Sequence, residues 1–172
     1  MNAIRLQMES PVTNFVEVAR RFCAWTEAQP ASTETEVKTA IEILASLSSA
    51  ILMTSSLGFG EDIEEERISD SEWKTVYKRF GSLPFNYYSA FFNPANVGKE
   101  DAVVGDLADD LADIYRDIKA GLWLYDQGHV KEALWEWRQS FQTHWGRHAT
   151  GALYALHAWS ANESMTSRGH RS

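Results

Sequence analysis

Apolar residues recur at helical spacing along the chain, and helix-breaking residues separate the periodic segments. Ser10-Pro11 is typical of a helix start, because serine caps the first turn and proline is tolerated at the first helical position. From Phe15 to Trp25 the apolar positions repeat with a period of about 3.6 residues. Gln29-Pro30 then ends the first predicted helix.

The same pattern predicts four more helices. A second helix follows a cap at Ser32 or Thr33 and ends before Gly58, and a short helix covers 70–80. A long helix over 100–127 is closed by Gly128, and a final helix covers 130–161. Between them, the aromatic segment 85–94 is predicted to be irregular or a single helical turn.

The predicted fold is therefore all-α, a single helical bundle of about five helices without a sheet. Residues 10–161 form the bundle domain, and residues 1–9 and 162–172 are predicted to be flexible tails. Helix should account for at least about 60% of the chain. The tight turn at Gly128 makes the two long C-terminal helices antiparallel neighbours.

The acidic net charge argues against negatively charged binding partners. The formal net charge is −8 at pH 7, with 24 acidic residues against 16 Lys and Arg. Nucleic acid and anionic membrane surfaces attract proteins of the opposite charge, so neither is expected as a partner. Cys23 is the single cysteine, which excludes an intrachain disulfide, and the chain opens without an apolar signal sequence. A soluble, cytoplasmic protein is predicted.

A row of carboxylates lies beside the apolar stripe of the helix predicted over 100–127. At about 100° per residue the apolar positions form one stripe. A second row, about a quarter turn away, contains four aspartates: Asp106, Asp110, Asp113 and Asp117. Like charges at this spacing repel one another, so cations are expected opposite them.

The final helix carries histidines that can pair with these aspartates. His144 and His148 are four residues apart, with His148 on the predicted apolar stripe and His144 beside it. Asp113 lies 15 residues before Gly128 and His144 lies 16 after it, so the two are level in an antiparallel hairpin. Asp110 and His148 are level for the same reason.

Two interpretations of this cluster follow. In one, Asp110, Asp113, His144 and His148 bind a divalent metal, and mixed histidine and carboxylate ligands suit Zn, Mn or Fe. In the other, the aspartates fix the tautomers and charges of histidines and arginines in a structural polar seam. The seam is favoured, because the Glu-x-x-His pattern of known bundle sites is absent. No cofactor is therefore assigned, with a divalent metal as the alternative.

Several segments resemble an uncharacterised bacterial family, domain of unknown function 5063. The resemblance is most distinctive in the last half of the chain, in 105–122 (GDLADDLADIYRDIKAGL), 133–138 (ALWEWR) and 141–149 (FQTHWGRHA). It implies a bacterial, intracellular, helical protein. It implies no activity and transfers no catalytic residue, because none is known for the family.

Three functions fit these observations. The leading hypothesis is a non-enzymatic adaptor or regulatory protein that binds a protein partner or self-associates, because no nucleophile or phosphate-binding motif is present. The second is a metal-dependent enzyme, perhaps a hydrolase, built on the Asp/His cluster. The third is a small-molecule-binding bundle with a pocket lined by Tyr87, Tyr88 and Phe91.

Overall fold

The computed structural model describes the backbone of residues 10–169 and the side chains of residues 10–163. It is 68% helical, which confirms the predicted mostly helical bundle. Within that part of the chain the elements are, in order, α1 (Pro11–Glu27), α2 (Thr33–Met53), α3 (Asp70–Arg79), a 3-10 turn (Phe80–Ser82), β1 (Tyr87–Ala90), β2 (Val103–Asp106), α4 (Leu107–Asp126), α5 (Val130–Ser140), a π-helical turn (Phe141–Trp145) and α6 (Gly146–Gly169). None of the described helices combines the length and hydropathy needed to cross a membrane.

The first two helices begin at the caps that the sequence predicts. The side chain of Ser10 accepts a hydrogen bond from the amide of Thr13 at 3.1 Å, and Ser32 caps α2 in the same way. At the turn before α5, Gly128 has a φ of 88°, a left-handed conformation that favours glycine. The chain therefore reverses there, and α5 packs on α4.

The core lies between α1, α2, α4 and the continuous C-terminal helix formed by α5, the π-turn and α6. Trp137 is completely buried at its centre, and its indole N–H donates to the carbonyl of Ile118 at 3.1 Å. This bond fixes the height of α5 against α4 and so sets the register of everything that follows along the hairpin.

The prediction that the protein contains no sheet is wrong. β1 and β2 pair antiparallel, with Tyr88 opposite Gly105. The amide of Leu107 also donates to the carbonyl of Asn86 at 2.7 Å, which extends the pairing. Segment 85–94 thus contains a strand, and α4 begins seven residues later than the predicted start at Glu100. Aromatic and β-branched residues favour strands, and here that preference outweighs the helical spacing.

The C-terminal helix departs from the prediction in two ways. The π-turn interrupts it, and α6 continues to Gly169, eight residues beyond the predicted end at 161. Residues 1–9 and 170–172 of the predicted tails lie outside the described residues. From the last residue of the π-turn onwards, the buried residues are Trp145, Gly146, Ala149, Ala152, Ala155 and Leu156. His148 is therefore not on the apolar stripe, where it was predicted to lie.

A buried ion pair joins α2 to α3. Glu36 is 2% exposed, pairs with the guanidinium of Arg79 and accepts the amide of Ala31 at 2.9 Å. Arg79 also stacks over the ring of Trp25 and donates to the backbone carbonyl of that residue. Burial raises the pKa of Glu36, but the hydrogen bonds and charge of Arg79 and the amide of Ala31 outweigh it, so the pKa is lowered.

We expect Glu36→Gln to lower the free energy of unfolding at neutral pH by about 3 kcal/mol, because a buried guanidinium loses its charged partner. A depressed pKa stabilises the folded state above the unfolded pKa of about 4.3 and loses that effect as the pH falls through the folded value. The difference between wild type and variant in urea unfolding should therefore shrink in acid. Glu34→Gln, at an exposed position in the same first turn, is the control and should change stability by a few tenths of a kcal/mol. An equal loss in both variants would contradict this account.

Candidate metal centre

The acidic row of α4 is buried. Asp110, Asp113 and Asp117 are 6%, 9% and 4% exposed and lie on successive turns of the helix. They stand beside the core residues Leu111 and Ile114, which are completely buried. Buried carboxylates are costly unless hydrogen-bond donors or cations compensate them. The surrounding elements supply both.

Two histidines from the C-terminal helix each form a hydrogen bond with one of these carboxylates. Nδ1 of His148 lies 2.6 Å from Oδ1 of Asp110, and Nδ1 of His144 lies 2.7 Å from Oδ2 of Asp117. The predicted heights are thus correct to within one helical turn, since His144 takes Asp117 and not Asp113 as its hydrogen-bond partner. Each carboxylate accepts an Nδ1–H, which leaves Nε2 of each ring free to bind something else.

Both Nε2 atoms converge on Asp113. They lie 3.5 Å (His144) and 3.9 Å (His148) from the same oxygen, Oδ2. These distances are too long for hydrogen bonds. One ring nitrogen of each histidine and one oxygen of Asp113 all lie within 4.8 Å of one another. An ion bound at about 2.1 Å from each ligand separates its ligand atoms by about 3–4 Å, so the spacing fits a metal of the zinc type.

The other oxygen of Asp113 is already occupied. Oδ1 accepts the indole N–H of Trp73 at 2.8 Å and pairs with Arg116 at 2.9 Å. These two donors hold the carboxylate so that Oδ2 faces the histidines. Tyr88 acts similarly on Asp110, since its hydroxyl donates to Oδ2 at 2.6 Å while Oδ1 faces His148.

Arg67 supplies a cation at the far end of the row. It lies in the loop between α2 and α3, 3.6 Å from Asp117, and it also pairs with Glu136 at 2.8 Å and Glu65 at 2.5 Å. Its charge is thus divided among three carboxylates. Asp117 keeps its hydrogen bond to His144 and is compensated by Arg67 from the other side.

The site has a negative potential. Burial raises the pKa of Asp109, and the charges of Asp113, Asp106 and Asp110 raise it further. Burial lowers the pKa of His148, but the hydrogen bond to Asp110 and the charges of Asp110 and Asp113 outweigh it, so that pKa is raised. Both shifts have the direction expected where a cation is favoured.

Asp106 does not join the cluster, although it was predicted with the other three aspartates. Because α4 begins at Leu107, Asp106 is the N-cap and has an extended backbone. Its Oδ1 accepts the amides of Ala108 and Asp109 at 3.1 and 3.3 Å, and Oδ2 accepts the hydroxyl of Tyr77 at 2.9 Å. The carboxylate of Asp106 therefore caps the N-terminus of α4 and does not face the histidines.

Tyr87, Tyr88 and Phe91 were predicted to line one pocket, and the structure does not bring them together. Successive residues of a strand point to opposite faces. Tyr88 therefore reaches Asp110, while Tyr87 and Phe91 are 65% and 49% exposed. Of the three, only Tyr88 belongs to the site.

Sequence reasoning missed the groups that hold the carboxylates. Trp73 and Arg67 are tens of residues away from α4 along the chain, and only the folded arrangement of α3 and its preceding loop brings them close. Arg116 follows Asp113 at i+3, so helical spacing was a usable signal for that pair.

Comparison with known proteins places the fold and the family. The crystal structure of protein BF1032 from Bacteroides fragilis superposes with a TM-score of 0.73 at 24% sequence identity, over 87% of this chain and 91% of that one. At this identity the likeness shows the fold alone. No protein of curated function matches the sequence. The model of the family described as domain of unknown function DUF5063 matches residues 7–162, and the chain therefore belongs to that family.

Proposed function

We propose that this protein binds one divalent transition-metal ion between Asp113, His144 and His148 and is a metal-dependent hydrolase. A single observation carries the proposal. Nε2 of each histidine points at the same carboxylate oxygen, while Nδ1 of each is held by a separate aspartate. Metal-binding histidines are commonly oriented in this way, with the second nitrogen donating to a carboxylate.

A positive charge is favoured between the two Nε2 atoms and Oδ2 of Asp113. With Nδ1–H donated to the aspartates, each neutral ring presents an Nε2 lone pair to the carboxylate of Asp113. Three acceptor atoms facing one another are unfavourable unless protons or a cation lie among them. At 3.5 and 3.9 Å the gaps are wider than protonated Nε2–H···O bonds would be, which favours an ion over two protons.

The donor set suggests the chemistry. Three nitrogen and oxygen ligands suit a catalytic zinc-type site, which keeps a position for water. His144 is the most accessible ligand, with 35% of its side chain exposed, so solvent reaches the cluster. When bound there, a divalent ion would lower the pKa of a coordinated water and make it a nucleophile at neutral pH.

Zn²⁺ should bind the wild type, and Asp113→Asn, His144→Ala or His148→Ala should each weaken binding by roughly 100-fold or more, because each removes a ligand. At a free Zn²⁺ concentration about 100 times Kd the native state gains about 2.7 kcal/mol. The wild-type melting temperature should then rise by roughly 5–10 °C. Titration against a chromophoric chelator and thermal melts with and without EDTA measure the two effects.

His157→Ala is the matched control. His157 is an exposed histidine on the same helix, so its removal should leave Zn²⁺ affinity unchanged. A wild type that binds neither Zn²⁺, Mn²⁺ nor Fe²⁺, and whose melting temperature ignores EDTA, would instead identify the cluster as a structural polar seam. Metal binding without metal-dependent cleavage of any chromogenic ester, phosphoester or amide would retain the metal site and refute the hydrolase.

The aspartates behind the histidines should matter almost as much as the ligands. Asp110→Asn and Asp117→Asn keep the shape of each side chain but weaken its hold on an imidazole N–H, so we expect Zn²⁺ affinity to fall about 10- to 100-fold. Asp106→Asn is the control within the same row, because it caps the helix and asparagine caps equally well. Equal effects of all three substitutions on affinity would point to the charge of the row and not to its hydrogen bonds.

A second candidate function is protein binding in the cytoplasm, as an adaptor or regulatory protein. Exposed apolar side chains favour it, and they cluster on the strands and the loop between them: Tyr87, Phe91, Phe92, Val97 and Val104 are between 49% and 86% exposed. Apolar patches of this kind often mark interaction surfaces.

For this candidate, self-association is the simplest case to measure. We expect the wild type to sediment as a concentration-dependent oligomer and the double variant Phe92→Ser/Val104→Ser to remain monomeric, because the substitutions remove apolar area from the surface. A wild type that stays monomeric up to millimolar concentration would leave only a different protein as the partner.

A further inference from the structure

Tyr88 enters the cluster through a slot made by two glycines. A Cβ atom on Gly105, its partner across the two strands, would lie 2.5 Å from the tyrosine ring. A Cβ atom on Gly151 of α6 would lie 2.6 Å from the hydroxyl oxygen. Any residue other than glycine at position 105 or 151 would contact Tyr88 too closely unless the tyrosine moved. Both the strand pair and α6 therefore pack directly against the Tyr88 side chain.

The hydroxyl of Tyr88 forms a hydrogen bond with Asp110, the carboxylate that orients the proposed metal ligand His148. It donates to Oδ2 of Asp110 at 2.6 Å, and Oδ1 of the same carboxylate lies 2.6 Å from Nδ1 of His148. With one oxygen held by the phenol, the carboxylate cannot rotate without breaking a hydrogen bond to a charged group. Nε2 of His148 is thereby kept facing Asp113.

We propose that Tyr88 is a positioning residue for His148 and that its hydroxyl sets how tightly the metal is held. This proposal rests on the metal site proposed above. The helices alone provide the ligands, but the last link that fixes Asp110 comes from a strand. Loss of the Tyr88 hydroxyl would therefore release one oxygen of Asp110 and loosen the orientation of His148.

Tyr88→Phe tests this link, because it keeps the ring in the slot and removes only the hydroxyl. We expect Zn²⁺ affinity to fall about 10-fold, the lower end for outer hydrogen-bond partners of a metal site. The visible spectrum of the Co²⁺-substituted protein should change as well, since the geometry at His148 relaxes. Tyr87→Phe is the matched control, a neighbouring tyrosine on the opposite, exposed face of the strand, and should change neither measurement.

A double-mutant cycle shows whether the effect passes through Asp110. In an Asp110→Asn background, Tyr88→Phe should cause no further loss of affinity. A full 10-fold loss in that background, or no loss in the wild-type background, would overturn the role of Tyr88 while leaving the metal site in place. A wild type that binds no metal would end both proposals.

Gly151→Ala serves if Tyr88→Phe does not fold. The added methyl group would lie 2.6 Å from the hydroxyl oxygen of Tyr88, closer than van der Waals contact allows, so the hydroxyl must shift from its present position beside Asp110. The same 10-fold loss of Zn²⁺ affinity is expected from it, and an unchanged affinity would count against the proposal.

Discussion

The burial of three carboxylates along one face of α4 is the constraint around which this fold is arranged. Asp110, Asp113 and Asp117 stand at the edge of an apolar core, where a charge without partners is strongly unfavourable. Apart from Arg116 of α4 itself, the compensating groups come from other elements: a tyrosine from β1, an indole from α3, a guanidinium from the loop before α3, and two imidazoles from the C-terminal helix. Each of these elements is therefore attached to α4 by a directional hydrogen bond or ion pair in addition to apolar packing.

The part of this arrangement that could be predicted is the part carried by local periodicity. Helical spacing identifies the acidic row, and the tight turn at Gly128 sets the heights of His144 and His148 opposite it. The strands could not be found in this way, because Val103 and Val104 continue an apolar pattern that also suits a helix. The partners of Asp113 and Asp110 were equally hidden. A hydrogen bond from Trp73 or Tyr88 joins residues 40 and 22 positions apart, and nothing local in the sequence records it.

The π-turn explains why His148 was predicted at the right height but on the wrong face. Each residue of a regular helix advances by about 100°, so a helix continued from Trp137 would bring His148 onto the buried side. The π-turn accommodates one extra residue, and the helix beyond it is rotated by about that angle. Trp145 and Ala149 then take the buried positions, and His148 moves to the flank beside Asp110. The same helix thus contributes side chains to the apolar core from one face and to the polar cluster from the adjacent face.

The same geometry bears on whether the fold depends on a metal. Two protons, one on each Nε2, would bring the same total charge to Asp113 as one divalent ion, so protonation can also neutralise the cluster when no ion is bound. Both neutral and cationic donors, Trp73 and Arg116 at Asp113 for example, already satisfy the carboxylate oxygens that face away from the histidines. A bundle held together in this manner does not need the ion in order to fold, unlike small domains whose core is the metal itself. The ion would then add stability to a preformed site. Because 35% of the His144 side chain is exposed and only 12% of the His148 side chain, solvent would reach a bound ion from the His144 side.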